Sequence, residues 1–445
     1  MNKYYSGSKF CPKCRKIVPQ DNLRYRCKFT KENEAEHRKA LKEHLKKIGS
    51  TTQIADSGNL DFFFVAPKLP VFKYKWSKPI CPVCKKLGVE VCSKMHEIKV
   101  EASRTEVISV VGFKGCGKSV YISSLIQCID NYFGKKGIPC FVDGNNWKQK
   151  YDLEPGKNLP TGTPEKQTID PIQIHIGNTV NGKYPLDLLI YDIAGEDLNP
   201  NTSPEVVKDY LSHLAMSSLL IYLFNPIHSQ YLGEDWYEAR KIEFENHSRR
   251  GGDWNPVRMN NDILTRIVSM IGDHYKNTEE FTKTTISKLP IYSAGCVVAT
   301  DFLRWRKNKT TDEQPDDIKN KKLYEYYECY RPIDYIFPEN MKKYINEKEG
   351  INEITEEYLD RETDKMSENV ERQLIVWEEH RAVTKLKNNF KKAKFFGVSA
   401  LGGSPTLKEG TEDDLVCPDT ALKPRNIVNP IIWFLKEINI LDKIK

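Results

Sequence analysis

Apolar residues follow two rhythms along this chain. Between residues 104 and 225 they gather in short, mainly apolar runs: Val107 to Val111, Ile172 to Ile176, Leu186 to Tyr191 and Leu219 to Phe224. Runs of this length, rich in Val, Ile and Leu, are what strands buried on both faces require. Ser119 to Tyr132 and Pro204 to Met216 carry a helical rhythm instead, so strands alternate with helices. That alternation predicts an α/β fold, a mostly parallel sheet with helices on both faces. Two later runs, Ile291 to Val298 and Phe395 to Val398, extend the sheet, and Pro430 to Ile440 reads as a closing helix.

Residues 304–394 form a long charged interval with a mainly helical pattern, expected as an insertion. Its last part sets Val370, Leu374, Trp377, Val383, Leu386 and Phe390 on one helical face, the face that docks on the sheet. The first hundred residues are different in kind. Lys31 to Lys47 is a charged, surface-lying helix, and Asn59 to Val65 and Val71 to Trp76 are strand-like. The chain therefore divides into a module at 1–100 and an α/β domain at 101–445.

Hydrophobic residues make up 39% and charged residues 29%, the balance of a soluble globular protein. The longest apolar runs, such as Ser217 to Phe224, are too short to span a bilayer, and the first residues carry no secretion signal. A cytoplasmic location is expected. A formal charge of +7 is a mild excess, read as solvated faces; nucleic-acid binding is not favoured on it.

Of 12 cysteines, Cys11, Cys14, Cys27, Cys81, Cys84 and Cys92 fall in the first module. Such clustering in a cytosolic protein argues for metal ligation over disulfides. Cys81-Pro-Val-Cys84, then Cys92 and His96, has the spacing of one tetrahedral zinc site on two knuckles. Cys11-Pro-Lys-Cys14 and Cys27 suggest a second zinc, with His37 a candidate fourth ligand. The alternative is that Cys11, Cys14, Cys81 and Cys84 share one Zn²⁺. The first module is thus expected as a zinc-ribbon-like fold.

The second chemical signal is Gly112-Phe-Lys-Gly115-Cys-Gly117-Lys118-Ser119, set between a strand and a helix. Glycines let backbone N–H groups turn inward around a β-phosphate. The lysine places a charge between the β- and γ-phosphates, and the serine hydroxyl ligates Mg²⁺. The following helix directs its positive end at the same phosphates. Downstream, the apolar strand Leu186 to Tyr191 ends in Asp192-Ile-Ala-Gly195-Glu196. An aspartate there holds the Mg²⁺, and the Gly195 amide faces the γ-phosphate.

The chain resembles P-loop GTPases, and within them the bacterial double-GTPase family of the TRAFAC clan in its branch with cysteine-rich ribbons. The residues that carry the resemblance are Gly112 to Ser119 continuing into Val120-Tyr121-Ile122, Tyr191 to Asp197, Phe395 to Gly402, and Asn429 to Trp433. The resemblance implies GTP with Mg²⁺ as ligand, and a switch in a bacterial antiviral defence system that acts on a protein partner or effector. It implies that Ser399, Ala400 and Leu401 form the loop on the guanine oxygen. It makes Asp301 the reader of guanine N1 and the amino group. The family's Asn/Thr and Lys before that aspartate are replaced by Val298 and Ala299. Thr163 is the matching Mg²⁺ threonine of the first switch, and Glu196 stands where Ras-like enzymes place a glutamine. Slow GTP hydrolysis is the expected activity. Two other readings stay open: an ATPase of the same fold, and a nucleotide-bound scaffold that does not hydrolyse.

Overall fold

Backbone hydrogen bonding follows the apolar runs closely. The computed structural model describes residues 9–11, 16–18, 24–27, 34–47, 62–65 and 89–91, then 104–113, 115–143, 151, 153–160, 171–179, 184–193, 198, 212–225, 256–276, 288–298, 354–402, 405–407, 415–418 and 422–444. The chain splits into two units, Met1–Val100 and Glu101–Lys445.

In the first unit β1 (Lys9–Cys11) pairs antiparallel with β2 (Lys16–Val18). A three-stranded antiparallel sheet has β3 (Arg24–Cys27) at its centre, between β4 (Phe62–Val65) and β5 (Val89–Val91). Helix α1 (Glu34–Lys47) falls within the expected charged helix, and its described side chains are exposed or half-buried. The strand expected at Val71 to Trp76 lies outside the described residues.

The second unit is built on one seven-stranded sheet. Its strands are β6 (Thr105–Val111), β7 (Cys140–Val142), β8 (Ile172–Ile176), β9 (Leu186–Asp192), β10 (Leu219–Phe224), β11 (Leu289–Val297) and β12 (Phe390–Gly397). The order is β12-β11-β10-β6-β9-β8-β7. The five strands from β12 to β9 run parallel, while β8 runs antiparallel to β9 and β7 antiparallel to β8. Every residue of β9 and β10 is buried, so both faces of the sheet are covered. The cover includes α2 (Lys118–Lys135), α3 (Pro256–Lys276), α4 (Glu356–Val376), α5 (His380–Asn389) and α6 (Asn429–Glu437). Among the described residues no helix is long and apolar enough to cross a membrane.

The charged interval departs from its sequence reading in two places. Its apolar face is buried as expected, from Val370 and Leu374 through Phe390. The helix carrying it is broken, however: α4 ends at Val376, Glu378 takes a positive φ of 64°, and α5 starts at His380. The strand expected from Phe395 begins at Phe390, so Lys391, Lys392 and Lys394 belong to the sheet and not to a helix. With α4 packed on β12 and α5 on β11, β12 and α3, these elements are a layer of the fold. Of the helix expected at Pro204 to Met216, the described part is a 3₁₀ turn, Ser212–Met216. Strands β8 through β10 lie where the pattern puts them, within a residue, and the closing helix starts one residue before Pro430 and ends three before Ile440.

The break between α4 and α5 buries a carboxyl group. Glu379 Oε1 accepts from Asn260 Nδ2 at 2.7 Å, and Asn260 Oδ1 accepts from the Tyr222 hydroxyl at 2.8 Å. The second oxygen, Oε2, is buried with no hydrogen-bond partner among the described residues. Burial pushes the Glu379 carboxyl up to about 8, against a partial opposing pull from the Asn260 hydrogen bond. Between its ordinary value of 4.5 and about 8 the folded chain holds a proton that the unfolded chain has released. Stability therefore falls as pH rises through that window, and the penalty is complete above it. Glu379→Gln keeps the acceptor for Asn260 and removes the charge. It should stabilise the protein by about 1–3 kcal/mol above the window and flatten the slope within it, read from denaturation midpoints at low and high pH.

Candidate functional site

The site begins where β6 stops. Six of its residues, Glu106 to Val111, are buried, and the chain then turns sharply at Gly112. A Cβ at Gly112 would lie 2.6 Å from Cys116 Sγ and 3.0 Å from the Leu223 carbonyl oxygen, so only glycine fits between this loop and β10. Gly117 caps α2 with φ of 88°, a left-handed conformation that side chains resist. Helix α2 has no acidic residue in its first turn and no side chain capping it, which leaves its first amides for an anion.

Two polar side chains of that first turn are buried, and each has a defined role. Lys118 Nζ donates to the carbonyls of Gly112 at 3.1 Å and Phe113 at 2.9 Å, so its ammonium sits inside the loop. Ser119 Oγ donates to Asp192 Oδ2 at 3.2 Å. Asp192 reaches that point because β9 is the parallel neighbour of β6, with Asp192 level with Val110. A buried hydroxyl beside a buried carboxylate is a hard oxygen pair, and it suits Mg²⁺. Cys116 Sγ lies 3.9 Å from Lys118 Nζ; burial pushes its thiol up more than the lysine pulls it down, so it remains a thiol.

A second hydroxyl converges here that no motif announced. Tyr151 donates to Asp192 Oδ2 at 3.0 Å, and its phenol is raised, first by burial and then by the neighbouring carboxylate. Its one signal in the sequence is an aromatic in the polar stretch after Val142, which Trp147 shares. Two residues on, Leu153 packs with Leu401 and Cys417 in a small apolar cluster.

Since β12, β11, β10, β6 and β9 are parallel, their last residues share one edge of the sheet. The loop Ser399, Ala400, Leu401 leaves β12 at that edge. It is tied down by Ser399 N–H to Arg425 O at 3.0 Å, Arg425 N–H to Ser399 O at 2.8 Å, and Lys423 N–H to Leu401 O at 3.0 Å. The Ser399 hydroxyl accepts from the Gly402 amide at 3.0 Å. Val120 borders the Leu153 cluster from α2, and Gly115 takes φ of 77° within the loop. Val298, which follows β11, donates its amide to Phe224 O at 2.9 Å.

The structure thus brings together Gly112, Gly117, Lys118, Ser119 and Asp192 around one point. Thr163, Gly195, Glu196 and Asp301 lie outside the described residues. In the first unit Cys11 closes β1 and Cys27 closes β3, while Cys14, Cys81, Cys84, Cys92 and His96 lie outside the described residues. Among the described residues no group of three or more His, Cys, Asp or Glu side chains is placed to hold a metal ion.

No protein-family model matches the chain, and no curated protein matches it. Among solved structures, it is similar to the cytosolic domain of the T. maritima FeoB iron transporter. The apo form is 12% identical with a TM-score of 0.20, covering 64% of this chain and 98% of that one. GDP form II is 10% identical with a TM-score of 0.20, covering 64% and 97%. A TM-score of that size carries no weight for fold or function, so the mixed α/β architecture and the residues around Lys118 stand on their own geometry.

Proposed function

We propose that this chain binds GTP with Mg²⁺ and hydrolyses it slowly, as a molecular switch. The observation that carries the reading is the convergence of the buried Lys118 ammonium, the Ser119 hydroxyl and the Asp192 carboxylate at the start of α2. Lys118 would exchange its carbonyl partners for β- and γ-phosphate oxygens, and the α2 amides would cradle the β-phosphate. Ser119 and Asp192 would hold Mg²⁺, with Thr163 as the further ligand. When bound, the metal neutralises charge on the phosphates as the terminal group departs. Gly195 would offer its amide to the γ-phosphate, and Glu196 would orient the attacking water. The negative charge of Glu196 beside the γ-phosphate is the reason to expect slow turnover without a partner, which would also supply any missing cation.

The base end rests on position. The loop Ser399 to Leu401 leaves β12, three strands from β6, or about 14 Å at ordinary strand spacing. That separation suits the two ends of a nucleoside triphosphate. Asp301 would accept from guanine N1 and the amino group. Asp301→Asn replaces an acceptor with a group that can also donate. It should weaken GTP binding by roughly 10–100-fold and improve xanthosine triphosphate binding, since each lost charge-assisted hydrogen bond is worth about 1.5–3 kcal/mol. Side-by-side binding of GTP, ATP and xanthosine triphosphate checks this; tighter ATP binding by the unsubstituted chain overturns the guanine reading. An ATP-using protein of the same fold is the second reading, favoured by Ala299 where a base-stacking lysine would stand.

The cysteine pairs of the first hundred residues are proposed to hold zinc on the strength of their spacing. A place in a bacterial defence system rests on the family resemblance alone.

A further inference from the structure

We propose that Tyr151 is a positioning residue for the Mg²⁺ end of the pocket, and that its segment couples that end to the loop Ser399 to Leu401. The proposal rests on the nucleotide reading above and adds a regulation to it.

Two hydroxyls meet on one oxygen, Asp192 Oδ2: Ser119 Oγ at 3.2 Å from α2, and Tyr151 OH at 3.0 Å from the segment that precedes β8. A carboxylate held by two donors from different elements has its plane fixed before a cation arrives, which lowers the cost of ordering it on binding. Tyr151 is itself buried, so the bond is shielded from competing water.

What holds Tyr151 in place is the other end of the pocket. Leu153 is buried against Leu401 and Cys417, with Val120, Leu159 and Leu422 packed around them. Its carbonyl accepts from Gln127 Nε2 on α2 at 3.2 Å. The following residues pair with the strand segment after the loop: Gly156 N–H to Cys417 O at 3.3 Å, and Cys417 N–H to Lys157 O at 2.7 Å. Leu401, the last residue of the base loop, is therefore in direct packing contact with the segment that carries the Asp192 donor. A close-packed cluster transmits displacement, because it cannot absorb a shift without opening a void. Settling of a base against Ser399 to Leu401 then favours the Tyr151 hydrogen bond and Mg²⁺ binding. By linkage, Mg²⁺ favours the base to the same degree.

The test uses the full-length protein and three probes: GTP with a Mg²⁺ series, GTP in chelator, and inorganic tripolyphosphate with Mg²⁺. Tyr151→Phe keeps the ring and deletes only the donor. It should raise the Mg²⁺ concentration for half-maximal GTP binding about tenfold, while affinity in chelator stays within about twofold and the unfolding midpoint stays near that of the unsubstituted chain. Leu153→Ala, remote from the metal, should raise the Mg²⁺ requirement about threefold and narrow the preference for GTP over tripolyphosphate. Leu159→Ala on the rim of the same cluster serves if Leu153→Ala does not fold. An unchanged Mg²⁺ requirement in Tyr151→Phe overturns the positioning role, as does an equal loss of affinity in chelator. Unchanged Mg²⁺ dependence and base preference in the cluster variants overturn the coupling. If the unsubstituted chain takes no Mg²⁺-dependent GTP at all, the nucleotide reading falls first and this one with it.

Discussion

Lys118→Ala is expected to abolish measurable nucleoside triphosphate binding while leaving the fold intact. The ammonium of Lys118 is buried inside the loop proposed to bind phosphate, where it donates to the main-chain carbonyls of Gly112 and Phe113 and more distantly to Cys116 Sγ. Carbonyls are weak partners for a full charge, so a phosphate that replaces them gains the stronger charge-assisted bonds. Two such bonds at about 1.5–3 kcal/mol each correspond to an affinity loss of roughly 100-fold to 10,000-fold. The loop itself loses two hydrogen bonds, a cost of about 1–2 kcal/mol that a domain of this size tolerates. Equilibrium binding beside an unfolding curve separates the effects. A Lys118→Ala protein that binds GTP with unchanged affinity would remove the phosphate-loop reading outright. Lys118→Arg should not rescue, because a planar guanidinium cannot occupy the space of a compact ammonium against Cys116, whose Sγ is 3.9 Å from Nζ.

The motif proposed for the phosphate end was legible because its requirements are local. A strand, a glycine turn and a helix start dictate Gly112 to Ser119 over eight consecutive positions, and Asp192 follows from the one strand parallel to β6 on that side. The strands β8, β9 and β10 were legible for a related reason: burial on both faces demands mainly apolar runs, and only Gln173 among their residues is half-buried. What the pattern hid depends on partners distant in sequence. Trp377 and Val383 keep an apolar spacing that reads through the break between α4 and α5. The positive φ of Glu378 has no signature when the residue is not glycine or asparagine. The first half of β12 reads as helix because three lysines interrupt it. It is an edge strand, where lysines are at home. There Lys391 lies over the Tyr292 ring, Lys392 pairs with Glu437 and Lys394 with Asp364. Tyr151 carries no local pattern at all. Its role exists only because Leu153 and Cys417, far apart in sequence, pack together.

Asp187→Ala is expected to be the most destabilising single substitution in the sheet, although it is remote from the nucleotide. His175 Nδ1 and Asp187 Oδ1 are 2.7 Å apart, with side chains only 2% and 1% exposed. They are cross-strand partners in the β8–β9 ladder. Gln173 Nε2 donates to the second oxygen, Asp187 Oδ2, at 2.8 Å, so both oxygens of the carboxylate are engaged. The His175 ring packs with Phe141 and Tyr184 in a cluster of three, its centroid 4.9 Å and 4.7 Å from theirs and those two 5.0 Å apart. Alanine at 187 would strand the imidazole in a dry interior and take an acceptor from the half-buried Gln173 amide, which costs about 3–5 kcal/mol. In the sequence Asp187 stands out as a polar position at the start of the apolar run Leu-Asp-Leu-Leu, and His175 alternates with Gln173 in Ile-Gln-Ile-His-Ile. Asp187 also lies at the start of β9, and five residues of extended strand, about 17 Å, separate it from Asp192 at the other end. The folded fraction of Asp187→Ala should therefore bind GTP as the unsubstituted chain does, while its denaturation midpoint falls steeply. Asp187→Asn, which keeps one acceptor, should recover part of the loss. A midpoint within about 1 kcal/mol of the unsubstituted chain would mean that this buried pair is offset by its own desolvation, and that the edge of the sheet is held by apolar packing alone.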